Sequence, residues 1–305
     1  MNASITEKIG LVKPGIITVM TIPKLKSFAA SMALAFSMIT ASAQEFTVHH
    51  AAGGVSDMAS RAIALHTQWP VVNRPGGGGR IAVNHVLSNN AVMLATVNQI
   101  FVNNALSKTA PDRSDELEIL AVVAHMGNTL TCNRNINSWA ELTAKPVRLG
   151  YGGMGSNEHL ATEILVRTFD INVTMVPYAL GGNKSLQDLL GQHIDCVFFN
   201  TPTVKQHLNN GQLHSLITTA TWSTRAHKPW PFDSALALVT AKNNPHKAAI
   251  ANEVAQLMQK SELREQLAQL GLTPVMRGDA RSISDLLRQN QRLKQYIESN
   301  KLVLE

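Results

Sequence analysis

The sequence predicts an α/β chain of two lobes, each carrying a doubly wound, mainly parallel sheet. Three observations lead there. Short apolar runs alternate with helical periods from Phe46 onward, with brief connections between them. A chain of 305 residues, 45% of them apolar, is long enough to bury two ordinary cores. Finally, one pattern occurs three times: an apolar strand, a glycine pair, then a residue suited to start a helix. It appears at Gly53-Gly54 before Ser56-Asp57, at Gly152-Gly153 before Ser156-Asn157, and at Gly181-Gly182 before Asn183. Glycines let backbone approach a ligand closely, and the following helix presents unpaired N–H groups and the positive end of its dipole. Repeated on separate strands, that arrangement predicts a cleft for a small anion.

The elements follow in order. Phe46–Ala51 reads as a strand and Asp57–Gln68 as a helix with Met58, Ala62 and Leu65 on its buried face. Pro70–Asn73 and Val92–Val97 read as strands flanking a short helix at Ile81–Leu87, and another strand lies near Glu118–Val123. Ser138 and Glu141 have the spacing of a capping box. Leu160, Ile164 and Leu165 supply the apolar face of the helix after Ser156, and Gly191 closes the helix holding Leu186, Leu189 and Leu190. Ile194–Phe199 is a strand, Thr201-Pro202 fits an N-cap with proline behind it, and Leu213–Thr219 is a strand after the stop at Gly211. Thr221–Pro231, broken by tryptophan and proline, reads as a linker. Ala235–Thr240 is a strand, Asn244-Pro245 opens a helix to Gln259, Ser261 opens another that Gly271 ends, and Asp279–Asn300 is a long amphipathic helix. The late helices are expected to return to the first lobe, which is short of cover. The lobes are expected at 44–122 with 232–305, and at 123–231.

Residues 1–43 are expected to be an export signal. Lys24 and Lys26 precede an apolar stretch, Ser27–Thr40, and Ala41-Ser42-Ala43 supplies the small residues of a cleavage site. The residues before Met20 do not fit such a signal, so translation from Met20 is the simplest account. The apolar stretch is shorter than the roughly 20 residues that span a bilayer. The mature protein is therefore expected to be exported. Four lysines and one glutamate in this segment account for half of the formal charge of +6. With 5% aromatics and no basic run interleaved with them, the composition disfavours nucleic-acid binding. An oxidising compartment permits Cys132 and Cys196 to pair, but two buried free thiols are the favoured reading; their spacing matches neither a zinc nor a redox motif.

At the first glycine pair, Ala52, Gly53, Gly54, Ser56 and Asp57 are the leading candidates to hold a carboxylate, through backbone N–H groups and the Ser56 hydroxyl. Asp57 suits the first turn of its helix better than direct contact with an anion, and a plain tight turn is the competing reading of the loop. Gly155, Ser156 and Asn157 form the matching clamp in the second lobe, against an ordinary helix cap. Thr96, Asn98, Asn200 and Thr201 end strands, where ligands of open α/β sheets sit. Tyr178 either reaches the ligand or packs at the lobe interface. Arg61, four residues after Asp57, is read as an ion-pair partner. His49 and His50, as neighbours on a strand, would face opposite ways and so not share a metal. Gly76–Gly79 is not a dinucleotide fingerprint, and no P-loop or nucleophile elbow is present. No cofactor, metal or enzymatic activity is expected.

Several segments resemble, in order, those of the solute-binding receptors of tripartite tricarboxylate transporters, the Bug family. Gly53-Gly54 with Asp57 and Arg61 is similar to their first glycine segment, and Asn73-Arg74-Pro75-Gly76 through Gly79 to their N-R-P-G turn. Ser156 with His159-Leu160-Ala161, Val176-Pro177-Tyr178 with Gly181, Asp188-Leu189-Leu190-Gly191-Gln192, and Leu267–Val275 complete the series. The resemblance implies a type II periplasmic binding protein that closes on a small carboxylate, an organic acid or acidic amino acid, and delivers it to membrane permease subunits. A monomer is expected. The chain departs from the family in its His49-His50 pair, a shorter loop at Tyr151–Ser156, Asn89-Asn90 in place of an aspartate-glycine, and a reduced segment after Thr221. Those shortened loops keep open a sensory or scaffold role on the same fold.

Overall fold

The computed structural model describes residues 44–103, 113–153, 156–178, 182–227, 230, 234–275 and 280–302. The expected signal segment, Gly155 and Gly181 lie outside them. The strands are β1 (Phe46–Val48), β2 (Val71–Asn73), β3 (Val92–Thr96), β4 (Leu117–Met126), β5 (Asn128–Cys132), β6 (Val147–Gly152), β7 (Val173–Tyr178), β8 (Cys196–Asn200), β9 (His214–Thr218), β10 (Ser234–Ala241) and β11 (Thr273–Pro274). The helices are α1 (Val55–Thr67), α2 (Arg80–Asn89), α3 (Trp139–Ala144), α4 (Asn157–Phe169), α5 (Gly182–Leu190), α6 (Thr201–Asn209), α7 (Trp222–Ala226), α8 (Lys247–Leu257), α9 (Ser261–Gln269) and α10 (Ala280–Ser299).

Two sheets form, one ordered β11-β4-β10-β3-β1-β2 and the other β7-β6-β8-β5-β9. Both are mixed rather than mainly parallel. The β1, β2, β3 group and the β6, β7, β8 group are parallel, as βαβ units require. β10 and β5 then add antiparallel strands to each group. These are the strands on which the chain passes between sheets: β4 leads through Gly127 into β5, and the chain re-enters the first sheet as β10.

Strand directions fix which ends meet. β3 and β4 both run antiparallel to β10, and β1 is parallel to β3, so β1 and β3 end on the side where β4 reaches Gly127. β5 leaves Gly127 antiparallel to β8 with Asn128 opposite Asn200, so β8 ends at the same crossing, and β6 with it. The carboxyl ends of β1, β3, β6 and β8 therefore converge on the crossing. The two passages are tied there: Asn128 Nδ2 donates to Ser234 Oγ at 2.7 Å, and the Thr219 N–H donates to the Asn128 carbonyl at 2.9 Å.

Local chemistry explains most elements. Ser138 Oγ accepts the Glu141 N–H at 3.3 Å, while the Glu141 carboxylate accepts the Asn137 N–H at 2.7 Å, one residue earlier than a capping box uses. The positive φ of Gly79 (+98°) brings the chain into α2; a Cβ there would lie 2.7 Å from Ile100 Cδ1. α1 is turned from the expected phase. Val55, Ala59 and Ile63 are buried, Met58 and Ala62 only pack beside them, and Leu65 is 74% exposed. α6 is capped one residue earlier than read, at Asn200, with Pro202 in its first turn.

Two other expectations are corrected. Cys132 and Cys196 form a disulfide rather than two thiols, because antiparallel β5 and β8 set them directly opposite, with Cα atoms 4.0 Å apart. The expected linker contains α7, whose Trp222 is buried in the second core, its ring 5.2 Å from Phe169 and 4.6 Å from Trp230. Burial of a large aromatic surface outweighs the irregular local pattern. The C-terminal helix does return to the first sheet through Ile283 and Leu286, but Leu293 and Ile297 pack into the core of the second.

Candidate functional site

The loop between β1 and α1 is organised by Asp57. Its side chain is 4% exposed and accepts the Gly53 N–H (2.9 Å), Arg61 Nε (3.0 and 3.1 Å) and Asn73 Nδ2 (3.0 Å). Asn73 also donates to the His50 carbonyl at 3.0 Å and accepts Arg61 Nη2 at 3.1 Å. Burial alone would raise the Asp57 pKa; the Arg61, Gly53 and Asn73 donors outweigh it and hold the carboxyl below its ordinary value. Asp57 and the Gly53 N–H thus satisfy each other within the loop. Arg61 is Asp57's partner, as its spacing implied.

The N-terminus of α1 is otherwise open, since its N-cap, Gly54, offers no side chain to the first-turn N–H groups. Ala52 and Gly53 are exposed at the rim and Gly54 is half-buried, while Ser56 lies within. Ser56 Oγ is 3.3 Å from His50 Nδ1 and 3.4 Å from Thr96 Oγ1, and His50 Nε2 is 3.1 Å from Gln99 Oε1. Gln99 Oε1 accepts the Nε2 proton, which leaves Nδ1 as acceptor for the Ser56 hydroxyl. The backbone N–H of Ser56, not its hydroxyl, is then the donor available to an anion.

His49 and His50 do not sit back to back. β1 ends at Val48, and the two rings lie side by side, tilted at 40° with centroids 3.9 Å apart. Burial lowers the pKa of both, well below the usual range for His49, with the charge of the neighbouring ring adding to the effect there. At His50 the charge of Glu158 and the bond to Gln99 oppose burial without cancelling it.

At α4, Ser156 Oγ accepts the His159 N–H at 3.1 Å, so Ser156 acts as a helix cap. Asn157, 3% exposed, has no partner for either side-chain polar atom. The same holds for the side-chain oxygens of buried Asn98, beyond β3, and of half-buried Asn200, at the end of β8. Buried polar atoms left unpaired are costly; Asn98 and Asn200 follow or end strands that converge on the crossing, and Asn157 opens the helix that follows another. Thr201 keeps to the crossing: its N–H donates to the Gly127 carbonyl at 2.8 Å. Tyr178 is engaged inside the second sheet's layer, donating to Asp188 Oδ2 at 2.9 Å beside the Lys184–Asp188 pair. Burial, then the Asp188 bond, push its pKa up to about 12. Sequence reasoning missed His50, Gln99 and Asn73; the side-chain bonds that recruit them span distant parts of the chain and leave no periodic signal.

A model of the tripartite tricarboxylate transporter family receptor matches residues 59–292. The chain belongs to this family. The receptor is 26% identical over 184 residues to Protein BugT of Bordetella pertussis, an alignment covering 54% of this chain and 56% of BugT. It thus spans about half the length of the curated relatives it matches. Among solved structures, the periplasmic binding protein BugD aligns with a TM-score of 0.72 at 18% identity, over 85% of this chain and 98% of BugD. An R. palustris protein solved with adipate aligns at 0.70 and 23% identity, over 84% and 95% of the two chains. MatC from Rhodopseudomonas palustris, solved with malate, aligns at 0.68 and 18% identity, over 83% and 98%. These likenesses show the two-lobed periplasmic binding protein fold. The family to which the chain belongs is one of transporter receptors. Among its described residues no helix is long and apolar enough to cross a membrane.

Proposed function

We propose that the receptor captures a small carboxylate in the periplasm between two lobes joined at Gly127, and passes it to the permease subunits of a tripartite transporter. What supports this reading is the uncapped N-terminus of α1, a 13-residue helix, together with the unpaired side-chain oxygens of Asn98 and Asn200 and the unpaired amide of Asn157. Backbone N–H groups of the first turn donate to the carboxylate, and the helix dipole supplies a favourable field of about 0.3–1 kcal/mol, up to about 2 when partly buried. The amide side chains and Thr96 line the walls. Arg61 and Lys184 are bound to Asp57 and Asp188, so neither is free to clamp the ligand. The adipate and malate of the two relatives are ligands of this chemical kind.

The test is thermal unfolding of the purified protein against succinate, malate, adipate, glutamate and aspartate, with glucose and putrescine as neutral and cationic controls. A ligand at a hundred times its Kd stabilises by about 2.7 kcal/mol. A rise in midpoint with at least one carboxylate is expected. A rise with a control solute and with none of the acids overturns the reading.

A further inference from the structure

Among the described residues, Glu158 is an acid near the crossing whose side chain has no hydrogen bond or ion pair within the fold. It follows Asn157 in the first turn of α4, half-buried. It does not cap its own helix, because the His159 N–H is taken by Ser156. Instead its carboxylate folds back over the end of β6: a Cβ at Gly152 would lie 3.1 Å from Glu158 Oε2 and 2.8 Å from Ser156 Oγ. Its charge reaches His50, on the loop after β1, and His50 Nδ1 lies 3.3 Å from Ser56 Oγ in the first turn of α1.

No ion pair among the described residues neutralises this carboxylate. Asp57 has Arg61, Asp188 has Lys184, and Glu163 has Arg167. His50 cannot serve, since burial favours its neutral form and both ring nitrogens are engaged, with Ser56 and Gln99. The site therefore pairs an anion-accepting helix end with a fixed negative charge near it. A ligand carboxylate at α1 leaves Glu158 to be matched by a positive group. A second carboxylate directed there meets like charge in a partly dehydrated cleft, where such repulsion is weakly screened.

We infer that Glu158 is a specificity-determining residue that selects ligands carrying a protonated amino group beside their carboxylate, α-amino acids in preference to the same acids without nitrogen. This inference rests on the carboxylate reading of the cleft. The ammonium group would donate to Glu158 and to the Asn157 side-chain oxygen, giving that buried amide the partner it lacks.

Calorimetric titration of the purified protein tests this with three matched pairs: L-aspartate and succinate, L-glutamate and glutarate, L-leucine and 4-methylpentanoate. In any pair that binds, the amino acid is expected to bind at least about tenfold more tightly, with E158Q bringing the two within about threefold. Equal or tighter binding of the deaminated acid to the wild-type protein overturns the inference while leaving the carboxylate reading intact. So does an unchanged preference in E158Q. If no carboxylate of any kind binds, both fall together. The wild-type ratio decides the matter alone should E158Q fail to fold.

Discussion

Replacing Asp57 with alanine should destabilise the protein far more than a surface change, because the carboxylate holds three separate pieces of chain. The substitution removes an ionised acceptor from the Gly53 N–H and the Asn73 amide, bonds of 2.9 and 3.0 Å. Hydrogen bonds to charged groups contribute about 1.5–3 kcal/mol each. Arg61 is 53% exposed and rehydrates on losing its partner, so its charge adds little. A loss of about 3–5 kcal/mol follows, which for a chain of this size lowers the thermal midpoint by roughly 6–15 °C. Asp57→Asn keeps one acceptor and should lose less. The pH dependence has a definite sign. A carboxyl whose folded pKa lies below its ordinary value of about 3.9 contributes stability above that value and loses it as pH falls through the folded one. The wild-type and Asp57→Asn proteins should therefore converge in stability below about pH 4. Urea unfolding measured from pH 7 to pH 3 supplies both readings. If Asp57→Ala unfolds within about 1 kcal/mol of wild type at pH 7, the network is incidental and the reasoning fails.

Reduction, or Cys132→Ser, should cost about 4 kcal/mol, the loop-closure entropy for a sequence separation of 64, and should shift the urea midpoint of the reduced protein alone. An unchanged midpoint after verified reduction would exclude that contribution. At the cleft, a Cβ on Gly54 has ordinary room, 3.4 Å from the Ala51 carbonyl, and its φ needs no glycine. Gly54→Leu should accordingly fold yet weaken carboxylate binding by more than about tenfold by crowding the first-turn N–H groups. Lys184→Ala, which releases only the exposed pair with Asp188, should leave affinity within about twofold by calorimetry. Loss of binding in Lys184→Ala with retention in Gly54→Leu would discard the backbone clamp.

The elements legible in the sequence were those whose signals are local. The Ser156 cap, the stop at Gly191 and the apolar face at Leu160, Ile164 and Leu165 each depend on neighbours within two turns, and all hold in the structure. What escaped depends on register and distance. Nothing near Cys132 indicates that residue 196 lies opposite, and nothing near Trp222 indicates that Phe169 and Trp230 wait to cover it. The phase of α1 was misread because apolar residues occupy two adjacent faces, and packing against the sheet chose Val55, Ala59 and Ile63. Sequence indicated which polar residues end strands; the partners that occupy Ser56, Asp57 and Tyr178, and the unpaired Asn98 oxygen and Asn157 amide, depend on contacts from distant parts of the chain.

The last helix has a mechanical meaning. Leu286 is buried in one core with Ile283 packed against it, and Leu293 and Ile297 are buried in the other, so α10 is a beam fixed at both ends across the joint. Rotation of one sheet against the other loads that beam: it must bend, slide or give up part of its apolar seating. The resting angle of the cleft is thereby set against elastic resistance remote from any ligand. Side chains at Leu293 or Ile297 thus bear on affinity through the cost of closing, without touching what is bound.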